Sequence, residues 1–195
     1  MAVTIFIHNG DAKTGTSIIQ NFLDLNRTNL FTKYNCLYPN FLEDNLASGR
    51  YHNHSEWYIS IKGNPQKFDR DISNLLNFIH KNSIEKLILS NEAWFLQKDA
   101  IEFLERITNR DDHIKIKTIS YLRRIDSWCE SAWKQWGVKV YESIDEYSKL
   151  NLNQGRFKGI LRYLENWAEK IGKENVITRK MEVDAAEFAK AVDRV

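Results

Sequence analysis

Four short runs of apolar and β-branched residues recur along this chain, separated by stretches with helical periodicity, and that alternation limits the folds open to it. The runs are Val3-Thr4-Ile5-Phe6-Ile7, Lys86-Leu87-Ile88-Leu89-Ser90, Ile114 to Leu122, and Val176-Ile177-Thr178. Near-continuous apolar strands belong to sheets covered on both faces. Strands joined through helices run parallel, with right-handed crossovers. The expected architecture is therefore α/β: three layers, α/β/α, around a central parallel sheet, in a single domain over residues 1–195. In such sheets ligands bind at the carboxyl ends of the strands.

The intervening stretches supply the helices. One is expected from about Gly15, with Ile18, Ile19, Phe22, Leu23 and Leu30 on its apolar face. Phe68, Ile72, Leu75, Leu76 and Ile79 mark a second, and Asp99 is placed to cap a third that carries Ile101, Phe103, Leu104 and Ile107. Ser127-Trp128-Cys129-Glu130 has the form of a capping box opening a helix to about Lys139. Another runs from Ile160 to Ile171 and stops at Gly172, and Asp184 is placed to cap a last one with Phe188 and Val192 on its apolar side. Residues 33–65 read as irregular, polar and aromatic, broken by Pro39, Gly49, Gly63 and Pro65, with Ser55 to Ile61 a short helix or a strand. Tyr147 to Lys158 reads as irregular too.

Composition removes several function classes. Eight Gly and two Pro among 195 residues exclude collagenous, Pro-rich and linker architectures. A net charge of +2 argues against a protein that coats nucleic acid. Cys36 and Cys129 have neither metal-ligand nor redox spacing and are expected as reduced thiols. Met1 to Ile7 is too short for a signal peptide, and no apolar run approaches the roughly 20 residues of a membrane span. The expectation is a soluble cytoplasmic protein without a membrane span or a metal.

With glycine so scarce, Gly10 and Gly15 draw attention to the loop between the first strand and the first helix. Gly10-Asp11-Ala12-Lys13-Thr14-Gly15-Thr16-Ser17 stands where backbone N–H groups and a helix N-terminus can hold an anion. The spacing is that of a nucleotide P-loop, but the residue after the second Gly is Thr16, where the Walker pattern requires Lys. Lys13, inside the loop, can reach a phosphate or a leaving oxygen, and Thr14, Thr16 and Ser17 carry hydroxyl donors. A plain turn followed by a helix cap is the competing reading.

His8 to Gln20 resembles the opening of sulfotransferases that use 3′-phosphoadenosine 5′-phosphosulfate (PAPS), in the bacterial and polysaccharide-type branch, where Lys-Thr-Gly-Thr-Ser precedes a helix with Gln. Ala12 stands where that family often has Pro. The resemblance implies a P-loop NTPase-like fold, with the loop on the 5′-phosphosulfate. It also implies a later strand ending in Arg, with Ser eight residues on, for the 3′-phosphate. Arg123 and Ser131 meet that pattern, Gln135 lies one turn beyond Ser131, and Trp133 stands where Tyr is common. Arg124 is the alternative anchor. On its own, Arg-Arg after a strand is more often a solvated edge. Residues 160–179 resemble the family's late helix and strand.

Sulfuryl transfer is an in-line displacement in which charge builds on the bridging oxygen of the departing nucleotide, and Lys13 is the expected ammonium there. The attacking hydroxyl or amine benefits from a general base. Two candidates present themselves: His54, in His52-Asn53-His54-Ser55, and Glu92, which resembles the family's Ser-x-Glu after the second strand. Surface loop histidines, or a carboxylate that fixes its loop, are the structural alternatives. Trp57, Trp94, Trp128 and Trp133 are candidate aromatic faces for an acceptor, though buried tryptophans are commoner. The resemblance implies a glycan, glycolipid or small-molecule acceptor and 3′-phosphoadenosine 5′-phosphate as product. A catalytically silent nucleotide-binding scaffold and a Mg²⁺-dependent P-loop kinase are the alternatives.

Overall fold

The computed structural model describes residues 2–49, 51–92, 94, 98–153 and 155–181. Strand β1 (Val3–Gly10) leads through a five-residue loop to α1 (Thr16–Leu25) and α2 (Arg27–Tyr34). Then come β2 (Cys36–Leu37), α3 (Ser55–Ile61), α4 (Pro65–Lys81), β3 (Lys86–Ser90) and α5 (Lys98–Thr108). The rest comprises β4 (Ile114–Leu122), α6 (Ile125–Gln135), α7 (Ile144–Asn153), α8 (Arg156–Ile171) and β5 (Val176–Lys180). The caps expected at Asp99 and Asp184, with Phe188 and Val192, fall outside the described side chains. Among the described residues, no helix is long and apolar enough to cross a membrane.

The strands form one parallel sheet in the order β2-β3-β1-β4-β5, flanked by helices. This is the α/β architecture expected from the strand runs. β1 is central, pairing β3 through Thr4 to His8 and β4 along its whole length. Val3, Ile5 and Ile7 are buried almost completely, and with Leu87, Leu89, Ile114 and Ile116 they make the core. Burying an aliphatic side chain of this size contributes roughly 1.5–3 kcal/mol. The connection leaving β1 heads for the β2 edge and the one leaving β4 for the β5 edge. A crevice therefore opens between the carboxyl ends of these neighbours.

Several local expectations are revised. The helix expected from Gly15 through Leu30 breaks at Asn26 into α1 and α2. Its inner face is largely polar: Thr16, Gln20 and Asp24 are buried together with Leu23, as expected for the latter, whereas Ile18 and Phe22 face outward. The cause is what α1 meets. Asp24 accepts from the Tyr51 N–H (2.7 Å), and Arg27 donates to the carbonyls of Tyr38 and Tyr51 while paired with Asp24 (3.1 Å). Helix α1 thus anchors a backbone segment that would otherwise bury its polar groups unpaired.

The segment 33–65 is more regular than its composition suggests, since it includes β2, α3 and, at Pro65, the first turn of α4 capped by Asn64. Helix α6 begins at Ile125, ahead of the expected capping box, so Ser127 lies inside it. Most of the stretch 147–158 is helical in α7 and α8.

Candidate functional site

The apolar pattern of the strands gives way to polar residues at their carboxyl ends, and these stay buried: His8, Asn9, Ser90, Asn91, Thr118 and Ser120 are all at most 4% exposed. They pair into a polar layer. Ser120 Oγ donates to Asn9 Oδ1 (2.5 Å), Asn9 Nδ2 donates to the Tyr163 hydroxyl (3.1 Å), and that hydroxyl donates to the Trp94 carbonyl (2.5 Å). Ser90 Oγ lies 2.7 Å from His8 Nδ1 and accepts from Gln20 Nε2 (3.1 Å). These buried hydrogen bonds fix side chains and backbone in one arrangement, while His8 Nε2 and the Thr118 hydroxyl meet no partner among the described residues.

On this platform sits the loop from Asp11 to Gly15. Asp11 is buried and ties the loop to itself: its Oδ1 accepts from Ala12 N–H (2.8 Å), and its carbonyl accepts from Thr14 N–H and from Thr14 Oγ (2.6 Å). Lys13 has φ 70° and Gly15 φ 78°, so two residues of the loop are left-handed. For a lysine that conformation costs roughly 1–2 kcal/mol. The turn is held from outside. Trp128 Nε1 donates to the Ala12 carbonyl (2.8 Å) and Arg123 Nη1 to the Lys13 carbonyl (3.1 Å). With those carbonyls drawn toward β4 and α6, the N–H groups of Lys13, Gly15, Thr16 and Ser17 donate to no acceptor among the described residues. Four such amides, at and just before a helix N-terminus, make a nest for an anion.

Around the loop stand charged and polar side chains from three elements. Lys13 Nζ donates to Gln135 Oε1 on α6 and lies 5.9 Å from the Trp136 ring centre. Arg123 closes β4 and, half-buried, lines a cavity of about 220 Å³ with Asp11, Thr14, Leu122, Ile125, Trp128, Ile160 and Leu161. Glu92, just past β3 and exposed, accepts from Thr16 Oγ (2.7 Å). Ser131 is half-buried on α6, one turn before Gln135 and on the same face. Arg124 is exposed and pairs with Asp126. The fold thus gathers Lys13, Thr14, Gly15, Thr16, Ser17, Glu92 and Arg123 at one end of the sheet, with the hydroxyl of Thr14 directed into the loop.

His54 is placed differently. It is fully buried beneath the 38–54 segment, where Nδ1 accepts from the Ser90 N–H (2.9 Å) and Nε2 donates to the Pro39 carbonyl (3.0 Å). Burial pushes its pKa down to about 4, against the pull of those backbone contacts. Both ring nitrogens are occupied by structure, so in this arrangement His54 has no lone pair to offer an acceptor. His52 is exposed. Trp57, Trp94 and Trp128 are buried and Trp133 is half-buried, while Trp136, which the sequence reading passed over, is 43% exposed beside Lys13. Asp11 also went unpicked, while Gln135 was singled out only beside Ser131 and Trp128 only as an aromatic face, neither as a partner of the loop. Asp11 lies within the loop motif itself, but the pairing of Trp128 and Gln135 with that loop is carried by no spacing rule.

No protein-family model matches the chain, and no curated protein matches it by sequence. Among solved structures it is similar to a sulfotransferase from Alicyclobacillus acidocaldarius, at 15% identity and a TM-score of 0.48, over 98% of this chain and 78% of that one. It is also similar to an uncharacterized protein from Eubacterium ventriosum, at 14% identity and a TM-score of 0.37, over the full length of both.

Proposed function

We propose that this protein is a sulfotransferase that takes its sulfuryl group from PAPS and passes it to a hydroxyl or amine of a glycan, glycolipid or small molecule. The observation that carries the reading is the strained, externally braced loop whose four amides donate to no acceptor among the described residues, flanked by the cations Lys13 and Arg123. Such a donor set fits a phosphosulfate at the helix N-terminus and a second phosphate at Arg123, which can present a forked guanidinium to it. Bound there, PAPS supplies the sulfuryl group for in-line displacement, with no metal required.

In this reading the loop amides and Ser17 bind the 5′ anion, and Arg123 with Ser131 binds the 3′-phosphate. Lys13 leaves Gln135 for the departing oxygen, where its charge stabilises the transition state more than the ground state. Glu92 is the base, because its carboxylate reaches the loop through Thr16 while His54 is sealed in the core.

A thermal-shift comparison tests the reading. Adenosine 3′,5′-bisphosphate without metal should raise the melting temperature, and ATP with Mg²⁺ should not. A response to ATP with Mg²⁺ alone would assign a kinase-type site. Stabilisation by the bisphosphate with no turnover of labelled PAPS over an acceptor panel would leave a nucleotide-binding scaffold.

A further inference from the structure

Of the six tryptophans, Trp57, Trp94, Trp128 and Trp167 are buried and Trp133 is half-buried, whereas Trp136 is 43% exposed. Its mount is firm. Trp136 closes α6, with its N–H on the Ala132 carbonyl (2.8 Å), and a 3₁₀ turn over Gly137–Lys139 follows. A Cβ at Gly137 would lie 2.5 Å from Trp133 Cδ1 and 3.0 Å from the Tyr147 ring. The backbone here is therefore pressed flat onto the small cluster of Trp128, Cys129, Ala132 and Tyr147, and Trp136 stands outside that cluster. What the indole meets is the loop after β1. Lys13 Nζ lies over its ring, 5.9 Å from the centre, while donating to Gln135 Oε1.

We propose that Trp136 is the face on which the acceptor lies, that the acceptor carries its reactive hydroxyl or amine on a flat ring, saccharide or aryl, and that Lys13 covers this face until the donor draws it away. The proposal rests on the reading of the loop as a PAPS site. At rest the ammonium is the indole's partner, a cation on the negative face of the ring. With an anion on the loop, Lys13 turns to it, and the indole is left to the polarised C–H groups of another ring. A ring stacked there holds its substituent oxygen beside the place to which Lys13 has moved, where the sulfur is attacked. That positioning is what acceptor binding has to supply. Because the turn already fixes the indole, little freedom is lost on stacking. Val138 and Val140, 53% and 74% exposed on the same turn, extend the apolar surface past the indole. Since one ammonium serves both places, donor and acceptor each raise the other's affinity by the same factor.

Fluorine spectra of the full-length chain labelled with fluorotryptophan test this, with the Trp136 signal assigned by its loss in Trp136→Phe. Methyl glucoside or naphthol should shift that signal, and adenosine 3′,5′-bisphosphate should lower the concentration needed several-fold. Which of the two ring alcohols acts tells a saccharide from an aryl acceptor. Octanol, with a hydroxyl but no ring, should leave the signal in place. Lys13→Ala should make ring binding indifferent to the bisphosphate. Trp136→Ala should weaken ring binding about two- to tenfold, the range that an aromatic pair contributes, without loss of bisphosphate affinity or melting temperature. A signal that neither ring alcohol moves, or that octanol moves equally, overturns the proposal. So does ring affinity that ignores a bound bisphosphate in the unaltered chain. If the bisphosphate itself does not bind, the PAPS reading fails, and the response of Trp136 to the ring alcohols still decides its own role.

Discussion

Lys13 combines a left-handed backbone with a side chain that rests on Gln135, so one residue both shapes the loop and carries its movable charge. Replacing it with alanine should cut transfer at least about a hundredfold, the usual effect of removing a group that stabilises developing negative charge. The melting temperature should stay close to that of the unaltered protein. Retained turnover in that variant would remove Lys13 from the chemistry. Glu92 offers a different separation. Glu92→Gln should lower kcat about 10²–10⁴-fold while leaving adenosine 3′,5′-bisphosphate affinity unchanged. If affinity falls instead, Glu92 acts by holding Thr16. The sequence pointed to Lys13 because a charged group in a short glycine-bounded loop has few structural reasons to be there, and to Glu92 through the resemblance of Ser90-Asn91-Glu92 to a Ser-x-Glu motif. His54 looked equally suitable. Only its neighbours, the Ser90 amide and the Pro39 carbonyl, reveal a packed core histidine.

At the scale of elements, the loop is shaped from both sides: by Asp11 within it, and by Trp128 and Arg123 at the start of α6 and the end of β4. Trp128→Phe keeps a six-membered aromatic ring and deletes the five-membered part of the buried indole, with the N–H that meets the Ala12 carbonyl. It should cost about 1–3 kcal/mol of stability, from the lost hydrogen bond and the space left behind, and bisphosphate affinity should fall several-fold. Titration by calorimetry beside a melting curve checks both, and undiminished affinity would mean that the loop holds its form without the indole. Helix α1 shows why periodicity located a helix but misjudged its faces. Ile18 and Phe22 form a fine apolar stripe. Yet the space beneath α1 belongs to polar strand ends, where Gln20 donates to Ser90, and to the backbone of residues 38–51, whose Tyr51 N–H donates to Asp24 and whose Tyr38 and Tyr51 carbonyls accept from Arg27 at the start of α2.

For the molecule as a whole, the polar layer under the loop ties stability to pH. Burial lowers the pKa of both His8 and His54 from about 6.5 to about 4. Between those values the unfolded chain binds protons that the folded chain refuses. Stability is therefore complete above about pH 6.5 and declines as the pH falls toward 4. The loss amounts to a few kcal/mol per histidine at the low end. Melting temperatures at pH 7.5, 5.5 and 4.5 should show the decline, and His8→Gln should flatten it. A pH dependence identical in that variant would exclude His8.

The sequence by itself determined the class of fold and the place of the glycine-bounded loop between β1 and α1. Buried parallel strands need long apolar runs, and a glycine-bounded turn between strand and helix has a local signature. Strand order, the outward turn of the α1 stripe, the burial of His54 and the bracing of the loop by Trp128 were decided only by tertiary structure. Each depends on which groups, far apart in the chain, must satisfy one another's hydrogen bonds once water is gone, and no spacing along the chain encodes that.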